Sequence, residues 1–442
     1  MHTSPWRVVA AVALAVVWIA GCGSATSTNE AESTPGKSEV HVTTDWFRPT
    51  GADKLAVVEV AGPNLVGLGF MWNDAPVHFS ADGGHTWQPA AIPTATKSPP
   101  SMPLVIDGET FLVGPTGVTP FGTPPTIWRS TDHGRTYVVT DGVAEPGSLG
   151  KVNGIVGLDD RLVAFGFVHS QPDPESLARW ESTDKGATWT RVPVEPIGAR
   201  NALLQPPVVT PQGSLLTSSN DGLLRSTDAG RTWVATSIRT RDGEPPATPV
   251  VVDGQVFTNG SNGVSTSADG GATWTRLGAV PVVPADTDDP EWSSIRITSA
   301  ADGTISGVLT SFINNDEQFD HLVWADPHTS TWHLAETPLV CDRPTGGAGA
   351  SSAISASVEM AGLFFATAQC DGKVDPGPHL LESSDHGRTW QTRDVSLPAS
   401  LKNTWVTFSA PVALADDTFV FTAARNVEQA TDAIVKVRVT NG

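Results

Sequence analysis

The octapeptide Ser226-Thr227-Asp228-Ala229-Gly230-Arg231-Thr232-Trp233 (STDAGRTW) contains the residue types that decide the fold. Its pattern, Ser-x-Asp-x-Gly-x-Thr-Trp, recurs along the 442-residue chain. The full copies, one of which ends in Tyr, are Ser80–Trp87, Ser130–Tyr137, Ser182–Trp189, Ser226–Trp233, Ser267–Trp274 and Ser383–Trp390. A decayed copy, Ala325–Trp332 (ADPHTSTW), lies in the one long gap. Such self-similarity indicates a fold built from repeated supersecondary units.

The residue types of this repeat predict the turn of a β-hairpin. Ser and Asp side chains accept from nearby backbone N–H groups, Gly supplies a positive φ, and Thr-Trp begins the returning strand with an indole that packs over the turn. We therefore assign a structural role to the repeat's aspartates and glycines, which are Asp82, Asp132, Asp184, Asp228, Asp269, Asp385, Gly84, Gly134, Gly186, Gly230, Gly271 and Gly387.

The repeat resembles the Asp-box, or BNR repeat, of sialidases, sortilin-type receptors, some glucanases and the propeller-type assembly factors of photosystem II. In those families the motif lies between the third and fourth strands of a propeller blade, away from the usual ligand face. The resemblance implies a β-propeller and leaves the function open.

Strand patterns around each repeat are consistent with four-stranded blades. Two alternating apolar segments precede each copy, as in Lys151–Leu158 and Arg161–His169. Period-two alternation predicts strands, and the strand that carries the repeat and the one that follows it complete an antiparallel unit of four.

Three more strands, near Trp405–Leu414, Thr418–Ala424 and Ala433–Val439, follow the last repeat. Val40–Phe47 would supply their missing fourth strand, which closes the ring and removes exposed sheet edges. We therefore predict an all-β chain whose residues 41–442 form a β-propeller of eight antiparallel blades, at about 50 residues per blade. Seven blades is the alternative.

The charge balance excludes one class of function. The chain contains 27 Lys and Arg against 47 Asp and Glu, a formal net charge of −20. Nucleic-acid-binding proteins need a basic surface to displace counterions from phosphate, so we expect no nucleic-acid partner.

The N-terminus resembles an export signal. Arg7 precedes the apolar run Val8–Ala20, and Ile19-Ala20-Gly21-Cys22 resembles the lipobox of bacterial lipoproteins. The resemblance implies cleavage after residue 21, acylation of Cys22 with palmitate-type chains, and a lipid-anchored extracytoplasmic protein of the bacterial cell membrane or envelope. An ordinary signal peptide is the alternative. Residues 22–40 are rich in Ser, Thr and Glu and would form a flexible tether.

Cys341 and Cys370 are the other two cysteines of the chain. An oxidising compartment favours pairing them, so we predict one disulfide, with two buried free thiols as the alternative.

No catalytic residue can be assigned from the sequence. A conventional sialidase needs a Tyr nucleophile, and the only tyrosine, Tyr137, occupies the Trp position of a repeat. A glycoside hydrolase that uses paired loop carboxylates remains the enzymatic alternative. We expect no metal and no other cofactor, with Ca²⁺ at the acidic segment Asp286–Glu291 (DTDDPE) as the alternative.

The loops opposite the repeat turns are acidic and contain aromatic residues, which suits a cationic, carbohydrate or basic protein ligand. Acidity that serves solubility alone is the equal alternative. The candidate binding face consists of Trp72, Asp74, Phe121, Asp288, Asp289, Trp292, Asp316, Phe319 and Asp320. The sequence thus favours a membrane-tethered, non-catalytic binding or assembly module for a protein or glycan ligand.

Overall fold

The computed structural model of the chain describes residues 40–52, 55, 57–68, 77–93, 103–106, 108–114, 124–144, 149–169, 176–195, 206–219, 222–239, 248–252, 254–260, 263–278, 292–301, 304–313, 317–326, 331–337, 352–360, 362–370, 377–393, 395, 401, 406–409, 411–415, 417–424, 431 and 433–441. The regular secondary structure in these ranges consists of β-strands alone, and the strands form eight antiparallel sheets. The predicted eight-bladed β-propeller is confirmed, and the seven-bladed alternative is excluded.

The first four blades follow one another along the chain. Blade 1 contains β2 (Val57–Ala61), β3 (Asn64–Leu68), β4 (Val77–Ser80) and β5 (Gln88–Pro89). Blade 2 contains β6 (Pro103–Ile106), β7 (Glu109–Gly114), β8 (Thr126–Ser130) and β9 (Val138–Val139). Blade 3 contains β10 (Leu149–Leu158), β11 (Arg161–His169), β12 (Ser176–Ser182) and β13 (Thr190–Val192). Blade 4 contains β14 (Val208–Val209), β15 (Leu215–Ser219), β16 (Gly222–Ser226) and β17 (Val234–Ala235).

The next three blades have the same order. Blade 5 contains β18 (Val250–Val252), β19 (Gln255–Gly260), β20 (Gly263–Ser267) and β21 (Thr275–Arg276). Blade 6 contains β22 (Trp292–Ala301), β23 (Thr304–Ile313), β24 (Glu317–Asp326) and β25 (Thr331–Leu334). Blade 7 contains β26 (Ser352–Met360), β27 (Leu363–Cys370), β28 (Gly377–Ser383) and β29 (Gln391–Arg393). Each repeat connects the third strand of its blade to the fourth, as expected.

Blade 8 joins the two ends of the described chain. It contains β1 (Val40–Phe47), β30 (Thr407–Phe408), β31 (Val412–Ala415), β32 (Thr418–Ala424) and β33 (Ala433–Asn441). β1 pairs with β33 in antiparallel register from Val40 opposite Asn441 to Phe47 opposite Ile434, which confirms the predicted closure.

The first strand of blade 8 departs from the sequence expectation of one continuous strand near 405–414. Both β30 and β31 pair with β32, and Ser409 and Pro411 are the described residues between them. Pro411 has no backbone N–H to donate to a ladder. The hydroxyl of Ser409 instead accepts from the backbone N of Thr422 at 2.9 Å.

The apolar core lies between neighbouring blades, in a series of layers. Phe111 and Ile127 of blade 2 share one buried cluster with Val152, Leu162 and Trp180 of blade 3. Similar clusters join blades 1 and 2, blades 5 and 6, and blades 7 and 8. Each blade is therefore stabilised by burial against its neighbours.

The repeat glycines lie against side chains of the preceding blade. A Cβ atom on Gly230 of blade 4 would lie 2.4 Å from Phe165 Cε1 of blade 3, and a Cβ atom on Gly134 of blade 2 would lie 2.3 Å from Val66 of blade 1. Their φ values are +84° and +83°. Glycine is therefore required both for backbone conformation and for the approach of the preceding blade.

We predict that Gly230→Val destabilises the fold by about 3 kcal/mol or more, because a β-branched side chain is strained at positive φ and would also collide with Phe165. The matched control is Gly254→Val, at φ +75° with no atom within 4 Å of its Cβ position. It should cost only the backbone term of about 1–3 kcal/mol. Equal losses in chemical denaturation would contradict the assigned packing role of Gly230.

Candidate functional site

All six full copies of the repeat lie within the described residues and share one hydrogen-bond pattern. In each copy the Ser hydroxyl donates to Asp Oδ1 at 2.8 Å, and the Gly backbone N donates to the Ser Oγ at 2.8–2.9 Å. The Thr backbone N donates to Asp Oδ1 at 2.8–2.9 Å, and the Thr hydroxyl donates to Asp Oδ2 at 2.6–2.7 Å. Both oxygens of every repeat carboxylate are therefore occupied within their own turn.

The aspartates act as charged acceptors in these turns. In blade 3, the backbone N–H of Thr188 and the hydroxyls of Thr188 and Ser182 lower the pKa of Asp184 to about 2. Hydrogen bonds to a charged acceptor are stronger than neutral ones. The aspartate is thus committed to holding the turn and is not available as a general acid.

A second left-handed residue in the turn was missed by sequence reasoning. The residue before the repeat glycine also has positive φ, and it is His133, Lys185, Ala229 and His386 in four copies. Its identity varies, so nothing in the pattern marks it. Asn and Gly are the residue types that usually signal this conformation.

The aromatic residue at the end of the repeat covers the turn. In five copies the indole N–H donates to the carbonyl oxygen of the repeat glycine at 2.7–3.1 Å. The decayed copy keeps the pairing register, with Ala325 opposite Trp332, and Trp332 is buried. Its Nε1 has no acceptor among the described residues, and its sequence has Thr329 where the others have glycine.

Tyr137 takes the place of the Trp in blade 2. Its side chain is buried, its hydroxyl has no partner among the described residues, and burial, together with the nearby charge of Asp132, raises its pKa. A buried neutral phenol beneath a turn cannot serve as the nucleophile of a glycosidase.

Turns also bind the chain that leaves the preceding blade. Trp87 N donates to Thr50 O at 2.8 Å, and Thr50 N donates to His85 O at 3.1 Å, which joins blade 8 to blade 1. Ala91 forms the same pair of bonds with Arg135 and Tyr137, at 2.9 and 2.8 Å, and joins blade 1 to blade 2. The turn end of these blades is therefore a structural joint.

Most of the candidate binding face lies outside the described residues. This applies to Trp72, Asp74, Phe121, Asp288, Asp289 and Asp316, and to the acidic segment 286–291. Trp292 begins β22 and Phe319 lies in β24, and only their backbone is described. Their role in ligand binding stays a prediction.

Asp320 is the one member of that face whose side chain is described. It is 6 % exposed, and its carboxylate accepts from Thr310 Oγ1 at 2.7 Å and from the backbone N of Ile354 at 2.9 Å. Arg296 donates Nη2 to Ile354 O at 2.8 Å. These contacts join β22, β23 and β24 of blade 6 to β26 of blade 7, so Asp320 contributes to the interface between the two blades.

Glu59 is a titratable group that sequence reasoning did not single out. It lies on β2, the first strand of blade 1, where it is half-buried, and burial raises its pKa to about 7. Side chains alternate along a strand, so Glu59 lies on the same side as Ala61, which packs in the cluster between blades 1 and 2. A carboxyl group that is neutral near pH 7 can donate a proton or a hydrogen bond.

Most of the cysteine residues lie outside the described part of the chain. Cys22 and Cys341 lie outside the described residues, and Cys370 is described only as the last residue of β27, so the disulfide stays a prediction.

No cluster of three or more His, Cys, Asp or Glu side chains occurs in the described ranges. In the described part of the chain, no helix has the length and apolar character to span a membrane.

We predict that Glu59→Gln stabilises the protein at pH 8 by up to about 3 kcal/mol and has little effect at pH 4. Between pH 4.5 and about 7 the unfolded chain has released this proton while the folded chain retains it, so stability falls as the pH rises through that window. Glu336→Gln, at an exposed position, is the control. Thermal unfolding that shows the same Glu59→Gln effect at both pH values would contradict the assignment.

Comparisons with known proteins agree with the architecture. A family model described as the DUF6242 beta propeller domain matches residues 155–428. A xyloglucanase from Paenibacillus sp is 29 % identical over 185 residues, which cover 35 % of this chain but only 17 % of the xyloglucanase. Two solved structures are similar in fold alone. YCF48 from Cyanidioschyzon merolae is 12 % identical, with a TM-score of 0.42 over 89 % of this chain and 98 % of that chain. The WD40 domain of SCAP from fission yeast is 9 % identical, with a TM-score of 0.46 over 91 % of this chain and 98 % of that chain.

Since the family match covers more than half of the chain, and since the matched residues run from blade 3 into the closing blade, the protein belongs to the DUF6242 beta propeller domain family.

Proposed function

We propose that this protein is a lipid-anchored extracytoplasmic lipoprotein of the bacterial envelope whose propeller binds a protein or glycan ligand without catalysis. Its Asp-box-like turns would be the structural end of the ring, and its ligand would bind at the opposite end. Cys22 would be the acylated residue, and residues 22–40 would be the tether.

The observation that carries the proposal is the complete internal use of the repeat side chains. The Ser, Asp and Thr groups of all six turns bond to one another, and several turns also bind the preceding blade. These repeated polar groups therefore hold the scaffold and offer no reactive centre. Recognition is left to loops held by a rigid ring, as is usual for such folds.

The amino-acid sequence supports the location of the ligand end. The loops opposite the turns contain aromatic residues such as Trp72 and Phe121 beside acids such as Asp74 and Asp288. Aromatic anchors with a charged rim are typical of binding surfaces.

Glu59 favours a second candidate function, a glycoside hydrolase with two carboxyl groups. Its pKa of about 7 is suited to a general acid at neutral pH, and the partial similarity to a xyloglucanase points to glycans as the substrate class. The second carboxyl group would have to come from the loops.

We predict that Cys22→Ala moves the protein from the membrane fraction to the soluble fraction, because the proposed lipid would be attached through this cysteine. The control is Ser24→Ala, which changes the same segment and keeps Cys22. Immunoblotting of fractionated cells checks this. If the Cys22→Ala protein stays in the membrane fraction, the lipoprotein assignment is wrong.

We further predict saturable binding of a glycan or envelope protein without turnover. The purified full chain would be tested on a glycan array and against a panel of aryl glycosides and xyloglucan oligosaccharides. No hydrolysis above the buffer rate is expected. Turnover that is abolished in Glu59→Gln but kept in Glu336→Gln would instead establish the hydrolase.

A further inference from the structure

A groove of about 250 Å³ lies on the turn side of the ring, where the outer hairpin of blade 4 meets the turn of blade 5. Its walls come from β16 and β17 and from the repeat turn that connects them, and include Arg225, Thr227, Thr232, Val234 and Thr236. Gly271 and Ala272 of the blade 5 turn form the facing side. The volume suits one small polar group or one sugar ring rather than a drug-sized ligand.

Arg225 is held in position with part of its guanidinium unused. Its Nε donates to the carbonyl oxygen of Gly270 in the blade 5 turn at 2.8 Å. Among the described residues, neither Nη1 nor Nη2 has a hydrogen-bond or ion-pair partner. The guanidinium group is planar, so the hydrogen bond at Nε also fixes the orientation of the two Nη groups. Two such groups can bind a carboxylate through two parallel hydrogen bonds.

The groove is open because of one residue in the blade 5 repeat. In blades 2, 4 and 7 the sixth position of the repeat is an arginine that reaches the third strand of the preceding blade. Arg231 donates a hydrogen bond to Glu181 at 3.1 Å. The guanidinium groups of the other two lie over aromatic rings, Arg135 over Phe79 and Arg388 over Trp324. In blade 5 that position is Ala272. The methyl group of Ala272 does not reach across, and the space beside Arg225 is open among the described residues.

Blades 2 and 3 provide an internal comparison. Arg129 and Ala187 occupy the positions of Arg225 and Ala272, with Thr131, Thr136 and Val138 at the corresponding lining positions.

The two arginines nevertheless differ in their partners. Arg129 is paired with Glu109 at 3.3 Å. The residue at the Glu109 position in blade 4 is Ser214, whose hydroxyl donates to Gly270 O at 2.6 Å. Arg225 is thus the arginine of this pair without a carboxylate.

The local charge contrasts with the rest of the chain. None of the described lining residues is acidic, although the chain as a whole has a net charge of −20. Asp228 belongs to the same turn, but its two oxygens accept from Ser226 and Thr232. Arg239 donates Nη1 to the backbone oxygen of Thr236 and adds a second cation beside the groove. The groove therefore favours an anion.

We propose that this groove binds the carboxylated ring of an acidic sugar, such as a uronic acid residue in a glycan. The carboxylate would bond the two Nη groups of Arg225. The hydroxyl of Thr227, which is exposed, would bond ring hydroxyls, and Val234, which is 68 % exposed, would cover an apolar face of the ring. The site uses none of the residues of the proposed ligand end. A result that excludes sugar binding in this groove therefore leaves the proposed function unchanged.

Calorimetric titration of the purified full chain with sodium glucuronate tests the site, with glucose and sodium acetate as comparisons. Glucuronate should bind most tightly, since glucose lacks the carboxylate and acetate lacks the ring. Arg225→Gln should weaken glucuronate binding roughly tenfold or more, and Arg225→Lys should weaken it less, because the charge is kept and the fork is lost. Arg129→Gln is the matched control and should bind as the unmodified protein does.

Two results would overturn the proposal. One is glucuronate binding that is unchanged in Arg225→Gln, and the other is acetate or glucose binding as tightly as glucuronate. If Arg225→Gln fails to fold, Val234→Trp at the exposed wall fills the groove while Arg225 is kept. Glucuronate binding that survives this occlusion would also overturn the proposal.

Discussion

The carboxylate of the repeat aspartate is the group on which the turns of the six blades with a full repeat depend. In blade 3, Asp184 Oδ1 accepts from Ser182 and from the backbone of Thr188, while Oδ2 accepts from the hydroxyl of Thr188. One anion thus ties together the two ends of an eight-residue turn. The fixed turn places a glycine without a Cβ atom against the preceding blade and an aromatic ring above it. A local turn is therefore also the joint between blades.

This joint explains how a single chain arranges eight sheets in a ring. Each blade presents apolar side chains to two neighbours, and close packing requires a fixed distance between sheets. In the six blades with a full repeat, the repeat glycine allows this close approach at one end, and backbone hydrogen bonds to the chain leaving the preceding blade add to the contact in several of them. At the closure, β1 takes the place of a fourth strand, so the ring is completed by strand pairing between distant parts of the chain.

Many of the described charged groups serve these contacts between blades. Arg231 bonds Glu181 of the preceding blade, and Asp320 bonds the backbone of the following one. Two groups differ. Glu59 is half-buried and has a raised pKa, and the two Nη groups of Arg225, beside an open groove, have no partner among the described residues. Partial burial disfavours the charged form of Glu59, and the free Nη groups of Arg225 keep their capacity for hydrogen bonds, so these two groups differ from the charged groups that join blades.

The sequence by itself determined the hairpin turns and the closure by Val40–Phe47, and it favoured eight blades over seven, because each depends on local patterns: period-two alternation, turn chemistry and the number of repeats. The structure decided between the two blade counts. It also located the decayed hairpin at Ala325–Trp332, since the paired strands keep their register without the glycine. Only the tertiary structure decided what surrounds each charged group. Asp320 looked like a loop acid and is a buried acceptor between blades. Arg129 and Arg225 are indistinguishable by motif, yet only one meets a glutamate. The environment of a side chain is set by residues from other strands and other blades, and spacing along one chain does not encode it.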